Sequence, residues 1–162
     1  MKIVSNTGPL IGLAKIGRLD LLKALAEEVR IPPFVHRELF GKTGTESRGI
    51  EKALEDFIRV VTVNLSESST VAVLNDLDEG ERQAIALASA IGKDVLLLMD
   101  DHAGRRAARK LGVSVTGLLG LLLLAKEKGL VYRLGSVIEE LREAGYWLSD
   151  EVVEVAMKLA GE

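Results

Sequence analysis

Two adjacent acids, Asp100 and Asp101, stand between an apolar run and a basic helix in Asp94–Gly112, DVLLLMDDHAGRRAARKLG. Two carboxylates at one point can hold a cation. The basic residues that follow, Arg105, Arg106, Arg109 and Lys110, can hold an anion such as phosphate. A single acid there would be explained as a helix cap. A doublet exceeds what one cap needs and points modestly toward chemistry. Three further positions belong with it: Asn6 after the first apolar segment, Glu38 in VHREL and Glu81 in LDEGER. Each has a structural reading of its own. Asn6 or Thr7 can cap the next helix, Glu38 can pair with Lys42 four residues on, and Asp78 with Glu81 spells a capping box. The joint pattern carries more weight than any member.

The composition narrows the chemistry. The chain has 162 residues, no cysteine and only two histidines, His36 and His102. Disulfides, thiolate metal sites and histidine-rich zinc sites are excluded. Any bound metal is held mainly by oxygen, which favours Mg²⁺ or Mn²⁺. The net charge of −3 lacks the basic excess of a general nucleic-acid binder. Contact with nucleic acid would need a local patch, for which Arg105, Arg106 and Arg109 are the candidates. Guanidinium forks suit phosphate oxygens.

The elements that position these residues can be read from periodicity. Val95–Met99 is unbroken and apolar, as expected for a parallel strand buried on both faces. Chemistry in open α/β sheets sits beyond the carboxyl ends of such strands. Further strands are expected at Lys2–Ser5, Val29–Ile31, Ile58–Val63 and Val113–Val115. Pro9 and Pro33 suit first turns of helices. Gly17 splits the segment from Leu10 to Leu25 into two helices. Pro33–Phe40, Glu51–Phe57, Val71–Leu77, Asp78–Ile91, His102–Leu111 and Gly117–Lys128 read as helices. Gly41–Ser47 reads as a loop and Ser66–Thr70 as a linker. A C-terminal helical hairpin is expected at about 134–160, with Val137–Ala144 and Glu151–Leu159 as its helices and Ser149 as an N-cap. Strands alternating with helices imply parallel pairing and right-handed crossovers. The expectation is one α/β domain over 1–162, in three α/β/α layers around about five parallel strands. The Tyr146-Trp147-Leu148 cluster in the hairpin suits either core packing or an interface.

The apolar run Gly117–Ala125 is about half the roughly 20 residues a membrane span needs. The N-terminus does not read as a signal peptide. A cytoplasmic protein without a membrane partner is expected.

In order, NTGPLIGLAKIGRLDLL, VHREL, LDEGERQAIALA and LLLMDDHAGRRAARKLG resemble a PIN domain. They are most similar to the prokaryotic branch related to toxin ribonucleases of toxin–antitoxin pairs. The resemblance runs from about Lys2 to Leu130. It implies a Mg²⁺- or Mn²⁺-dependent endoribonuclease that cuts single-stranded RNA with a metal-activated water. It places the family's acids on Asn6, Glu38, Glu81 and Asp101, with Asp100 as the alternative for the last. These are the implied catalytic residues and, with Asp100, the implied metal ligands. Thr7 corresponds to a hydroxyl that orients water or phosphate. A homodimer and an antitoxin partner are implied too. One departure stands out: Asn6 replaces the usual aspartate. Its carbonyl oxygen suits a hard cation, but it brings no charge and cannot act as a base. This favours, as the alternative, a weak or inactive PIN-like module that binds nucleic acid or protein. A phosphoacceptor receiver is disfavoured because the acid pair comes late. A dinucleotide-binding enzyme is disfavoured because no G-x-G-x-x-G follows a strand.

Overall fold

Strands joined by helical connections too long for a hairpin pair in parallel. A computed structural model describes residues 1–41, 44, 46–65 and 72–162. Its strands are β1 (Lys2–Ser5), β2 (Glu28–Ile31), β3 (Ile58–Val60), β4 (Val95–Leu98) and β5 (Val115–Thr116). They form one sheet in the order β3-β2-β1-β4-β5, and every pairing is parallel. The helices whose bounds are described are α1 (Thr7–Lys15), α2 (Asp20–Leu25), α3 (Pro33–Phe40), α4 (Glu46–Asp56), α5 (Glu79–Ile91), α6 (His102–Lys110), α7 (Leu118–Glu127), α8 (Leu134–Glu143) and α9 (Asp150–Leu159).

Side chains alternate across the sheet and so divide the core in two. Ile3, Val29, Ile31 and Leu98 point into a cluster with Leu10 and Leu13 of α1, Leu121 and Leu122 of α7, and Leu141 of α8. Val4, Val95, Leu97 and Met99 point the other way, onto Ala84, Ile85 and Ala88 of α5 and Ala107 and Ala108 of α6. The three-layer α/β/α expectation is met. In the run Val95–Met99, Leu96 alone is half-buried and the other four are buried. Parallel strands flank it on both sides.

Strand lengths differ from expectation where a partner ends. β3 stops at Val60 instead of Val63 because β2 offers only Val29–Ile31 for pairing. β5 is Val115–Thr116 instead of Val113–Val115. Gly112, at φ 73°, turns the chain out of α6, and the Val113 amide bonds back to the Ala108 carbonyl. α4 begins at Glu46, five residues before the expected start. Of the expected loop Gly41–Ser47, residues 42, 43 and 45 lie outside the described residues. So do the expected linker 66–70 and residue 71 of the expected helix 71–77, of which 72–74 are helical. Gly17, at φ 67°, separates α1 from α2 as expected. The C-terminal hairpin is α8 and α9.

The chain winds outward from β1 through β2 to β3, then crosses to the other side of β1 for β4 and β5. The strand order therefore reverses between β1 and β4, and a crevice opens outside their carboxyl ends. The register places Ser5 beside Leu98, and the Asn6 amide donates to the Leu98 carbonyl at 3.0 Å. Asn6 and the Asp100–Asp101 doublet therefore leave the sheet side by side.

Candidate functional site at the carboxyl ends of the strands

Helices that follow parallel strands all start at the same edge. Here α1, α5, α6 and α7 begin there, and their N-terminal partial charges favour carboxylates and other anions. Asn6 is the N-cap residue of α1, yet its side chain makes no capping bond. Its amide is thus not committed to the helix. Thr7 Oγ1 donates to Glu38 Oε1 at 2.7 Å, fixing the α3 carboxylate against the start of α1. Thr7 was expected to face water or phosphate. Its hydroxyl hydrogen goes to Glu38, and its oxygen keeps the capacity to accept from a water.

Gly80, the second residue of α5, lies between these groups. A Cβ there would stand 3.1 Å from Glu38 Oε1, 3.4 Å from Asn6 Oδ1 and 3.3 Å from the Phe34 ring. The absence of that carbon keeps the two oxygens converging on one small space. This cradle was missed in the sequence. The available signal was a glycine in a helical first turn, where backbone geometry does not require one.

The remaining acids have structural duties that explain their types. Asp78 and Glu81 form a complete capping box: Asp78 Oδ1 accepts from the Glu81 amide at 2.8 Å, and Glu81 Oε2 from the Asp78 amide at 3.2 Å. Asp101 caps α6, its Oδ2 accepting from the Gly104 amide at 2.7 Å. Asp100 caps a different helix. Its Oδ1 accepts from the Leu118 amide at 2.9 Å, the first amide of α7, whose N-cap Gly117 has no side chain. The doublet is thus two caps for two helices, which the sequence could not show.

Burial works against the charge on two of these acids, and the amide bonds they accept oppose it. Burial pushes the Asp100 carboxyl above its usual range, although the residue as a whole is exposed; the Leu118 amide and the Arg105 charge oppose the shift. Burial likewise pushes Glu81 up, and the charges of Asp78 and Asp101 add to it. Glu81 and Asp101 are therefore close enough to repel. Gly8 opens α1 toward Asp100, whose Oδ2 would lie 3.7 Å from a Cβ at that position.

The basic residues divide. Arg105 Nη1 donates to the carbonyls of Met99 and Asp100, so it braces the end of β4. This differs from a free phosphate contact, because the first turn of α6 folds back over the strand end. Arg109 is exposed and lines a cleft of about 520 Å³ with Asp100, Arg105 and the Tyr146-Trp147-Leu148 segment. Arg106 is exposed but does not line that cleft. Tyr146 packs inward, where its ring would meet a Cβ on Gly12 at 2.9 Å, whereas Trp147 faces solvent.

The family model described as a PIN domain matches residues 2–162. The chain belongs to the PIN-domain family. No curated protein matches it. PIN domains are in general nucleases, and PIN nucleases typically use divalent metals. Asn6, Glu38, Glu81, Asp100 and Asp101 carry oxygen donors, the kind of atom that Mg²⁺ and Mn²⁺ take. Among the described residues no three His, Asp or Glu side chains sit close enough to enclose an ion by themselves. No helix among the described residues is long and apolar enough to cross a membrane.

Proposed function

We propose that this protein is a Mg²⁺- or Mn²⁺-dependent endoribonuclease acting on single-stranded RNA. The observation that carries the reading is the convergence of Asn6 Oδ1 and Glu38 Oε1 on the cradle at Gly80, at the carboxyl end of β1. Asn6 and Glu38 would hold the cation from one side, and Asp101, Glu81 and Asp100 would supply the attracting negative field. A bound divalent ion neutralises charge on a phosphate and lowers the pKa of a bound water. The chain's own residues then have separate duties. Thr7 holds one oxygen of Glu38, and a carboxylate retains capacity for further partners after one bond. Asn6 contributes a neutral carbonyl oxygen and cannot take a proton, so turnover should be weak. Arg109, exposed on α6, would hold a neighbouring phosphate of the strand.

Amide substitutions separate these duties from structural ones. Asn caps helices as well as Asp does, and Gln completes a capping box as Glu does. Asp101→Asn thus keeps the α6 cap and removes one charge from the site. Expected outcomes are Mn²⁺ binding and slow cleavage by the wild type, stronger binding or faster cleavage by Asn6→Asp, and loss of binding in Asp101→Asn. Calorimetric Mn²⁺ titration and cleavage of a labelled single-stranded RNA measure these. A wild type that binds no Mn²⁺ at millimolar levels, with neither function restored by Asn6→Asp, ends the nuclease reading.

The outcome would then be the alternative, a PIN-like binding module. The capping duties of Glu81 and Asp101 favour it, since each acid has a reason to exist without a metal. A toxin role with a small antitoxin, and a homodimer, extend the proposal. The apolar stripe Val152, Val155 and Leu159, exposed along α9, supports a protein-facing surface. Sedimentation tests the dimer: a monomer at all micromolar concentrations would remove it.

A further inference from the structure

We propose that Trp147 and Arg109 form a shelf beside the acidic edge that takes one unstacked base of single-stranded RNA and its phosphate. The inference rests on the ribonuclease reading and adds to it a subsite outside the acidic cluster. Trp147 is the chain's single tryptophan and is 83% exposed. An indole is among the largest apolar surfaces a chain can bury, so leaving it in water is informative.

Its position is fixed from both sides. Tyr146 packs against Gly12 of α1 and its amide donates to the Leu141 carbonyl at 2.9 Å. Leu148 packs on the core, and its carbonyl accepts from Arg142 Nη2 at 3.1 Å. Ser149 then caps α9, its Oγ accepting from the Val152 amide at 3.2 Å. The backbone that carries the indole is therefore already ordered before a ligand arrives.

The cleft beneath it holds about 520 Å³, within the range of small-ligand sites. Its walls include Asp100, Arg105, Arg109, Thr116, Trp147 and Ser149, so the shelf is continuous with the proposed metal edge. Arg109 has no ion-pair partner among the described residues. An exposed aromatic plane beside an unpaired guanidinium matches a base joined to a phosphate, and stacking on aromatic side chains is how unpaired strands are held. A protein ligand would be better served by the adjoining hollow of Leu119, Leu123, Val155 and Leu159, which has almost no polar surface.

Because Trp147 is the sole tryptophan, its emission reports the site directly. Wild type is titrated in EDTA at low salt with penta-uridylate and with an abasic ribose-phosphate pentamer of equal charge. Penta-uridylate should quench the emission and the abasic probe should not. Trp147→Ala should weaken penta-uridylate binding about tenfold, in line with the loss of one stacked base, and leave the abasic probe unchanged. Trp147→Phe should recover most of the loss, and Arg109→Gln should weaken both probes. RNA bound without quenching, and equally well by Trp147→Ala, overturns the shelf and leaves the ribonuclease reading intact. Emission that follows protein concentration and not RNA identifies a protein interface and also overturns it, as does failure to bind either probe. Quenching and the alanine loss without cleavage in Mn²⁺ support the shelf and remove the nuclease reading.

Discussion

Gly80→Ala tests whether the cradle is a site or a packing accident. The added carbon would meet Glu38 Oε1 at 3.1 Å, the Phe34 ring at 3.3 Å and Asn6 Oδ1 at 3.4 Å. Comfortable contacts between heavy atoms are about 3.5–4.0 Å, so each neighbour must retreat by a few tenths of an ångström. Forced methylenes in a rigid core cost about 1–3 kcal/mol. Here two of the three neighbours are tips of side chains, one exposed and one half-buried, and they can swing aside. Alanine also gains up to about 1 kcal/mol of helix propensity over glycine. The opposing terms leave stability within about 1 kcal/mol of wild type. The groups that yield are the two proposed ligands, and the 2.7 Å Thr7–Glu38 bond is disturbed with them. Loss of at least 1.4 kcal/mol in Mn²⁺ binding, about tenfold, is expected, with a larger fall in cleavage. Thermal melting, Mn²⁺ calorimetry and initial cleavage rates give the result. Gly49→Ala on α4 is the control. Among the described residues its Cβ would meet Leu19 Cδ1 alone, at 3.8 Å, so it should add about 0.4–1 kcal/mol and leave metal binding alone. A folded Gly80→Ala protein that binds Mn²⁺ and cleaves RNA within about twofold of wild type would refute the cradle.

Asp100→Asn keeps an acceptor for the Leu118 amide and removes a carboxylate that burial disfavours in its charged form. Its melting temperature at pH 7 should not fall below wild type while Mn²⁺ affinity drops; a large loss of stability would show that the charge itself caps α7. Gly12→Ala should destabilise by about 1–3 kcal/mol, because its Cβ would meet the Tyr146 ring at 2.9 Å and Leu118 Cδ2 at 3.1 Å inside the core. An unchanged melt would refute this packing. Glu162 accepts from Lys126 and from the amides of Leu134 and Gly135, and the lysine above all lowers its carboxyl from 4.5 to about 2. Its contribution is therefore present above pH 4.5 and lost as pH falls toward 2. Wild type should lose more melting temperature than Glu162→Gln between pH 5 and 2, and parallel acid titrations would count against the cap.

The sequence by itself determined the layers. Val95–Met99 has no polar alternation, so it had to be a strand covered on both faces, and helix-period segments between strands forced parallel order. It also located Asn6 and the acid doublet just before helices that follow strands, Glu81 in the first turn of a helix, and Glu38 on the helix after the second strand. Local signals such as Pro33, the D-x-x-E box and Gly17 were legible because capping and φ preferences act over three or four residues. Strand limits at Val60 and Thr116 were not, because pairing ends where a distant partner ends. The division of duties at the site was also hidden. Whether Thr7 faces solvent or Glu38, whether Arg105 reads a phosphate or braces Met99 and Asp100, and which helix each acid of the doublet caps are contacts between segments far apart in the chain. Only the tertiary structure brings α3, α5 and α7 to the edge where β1 and β4 diverge. Only there does Gly80 become a space between two oxygens.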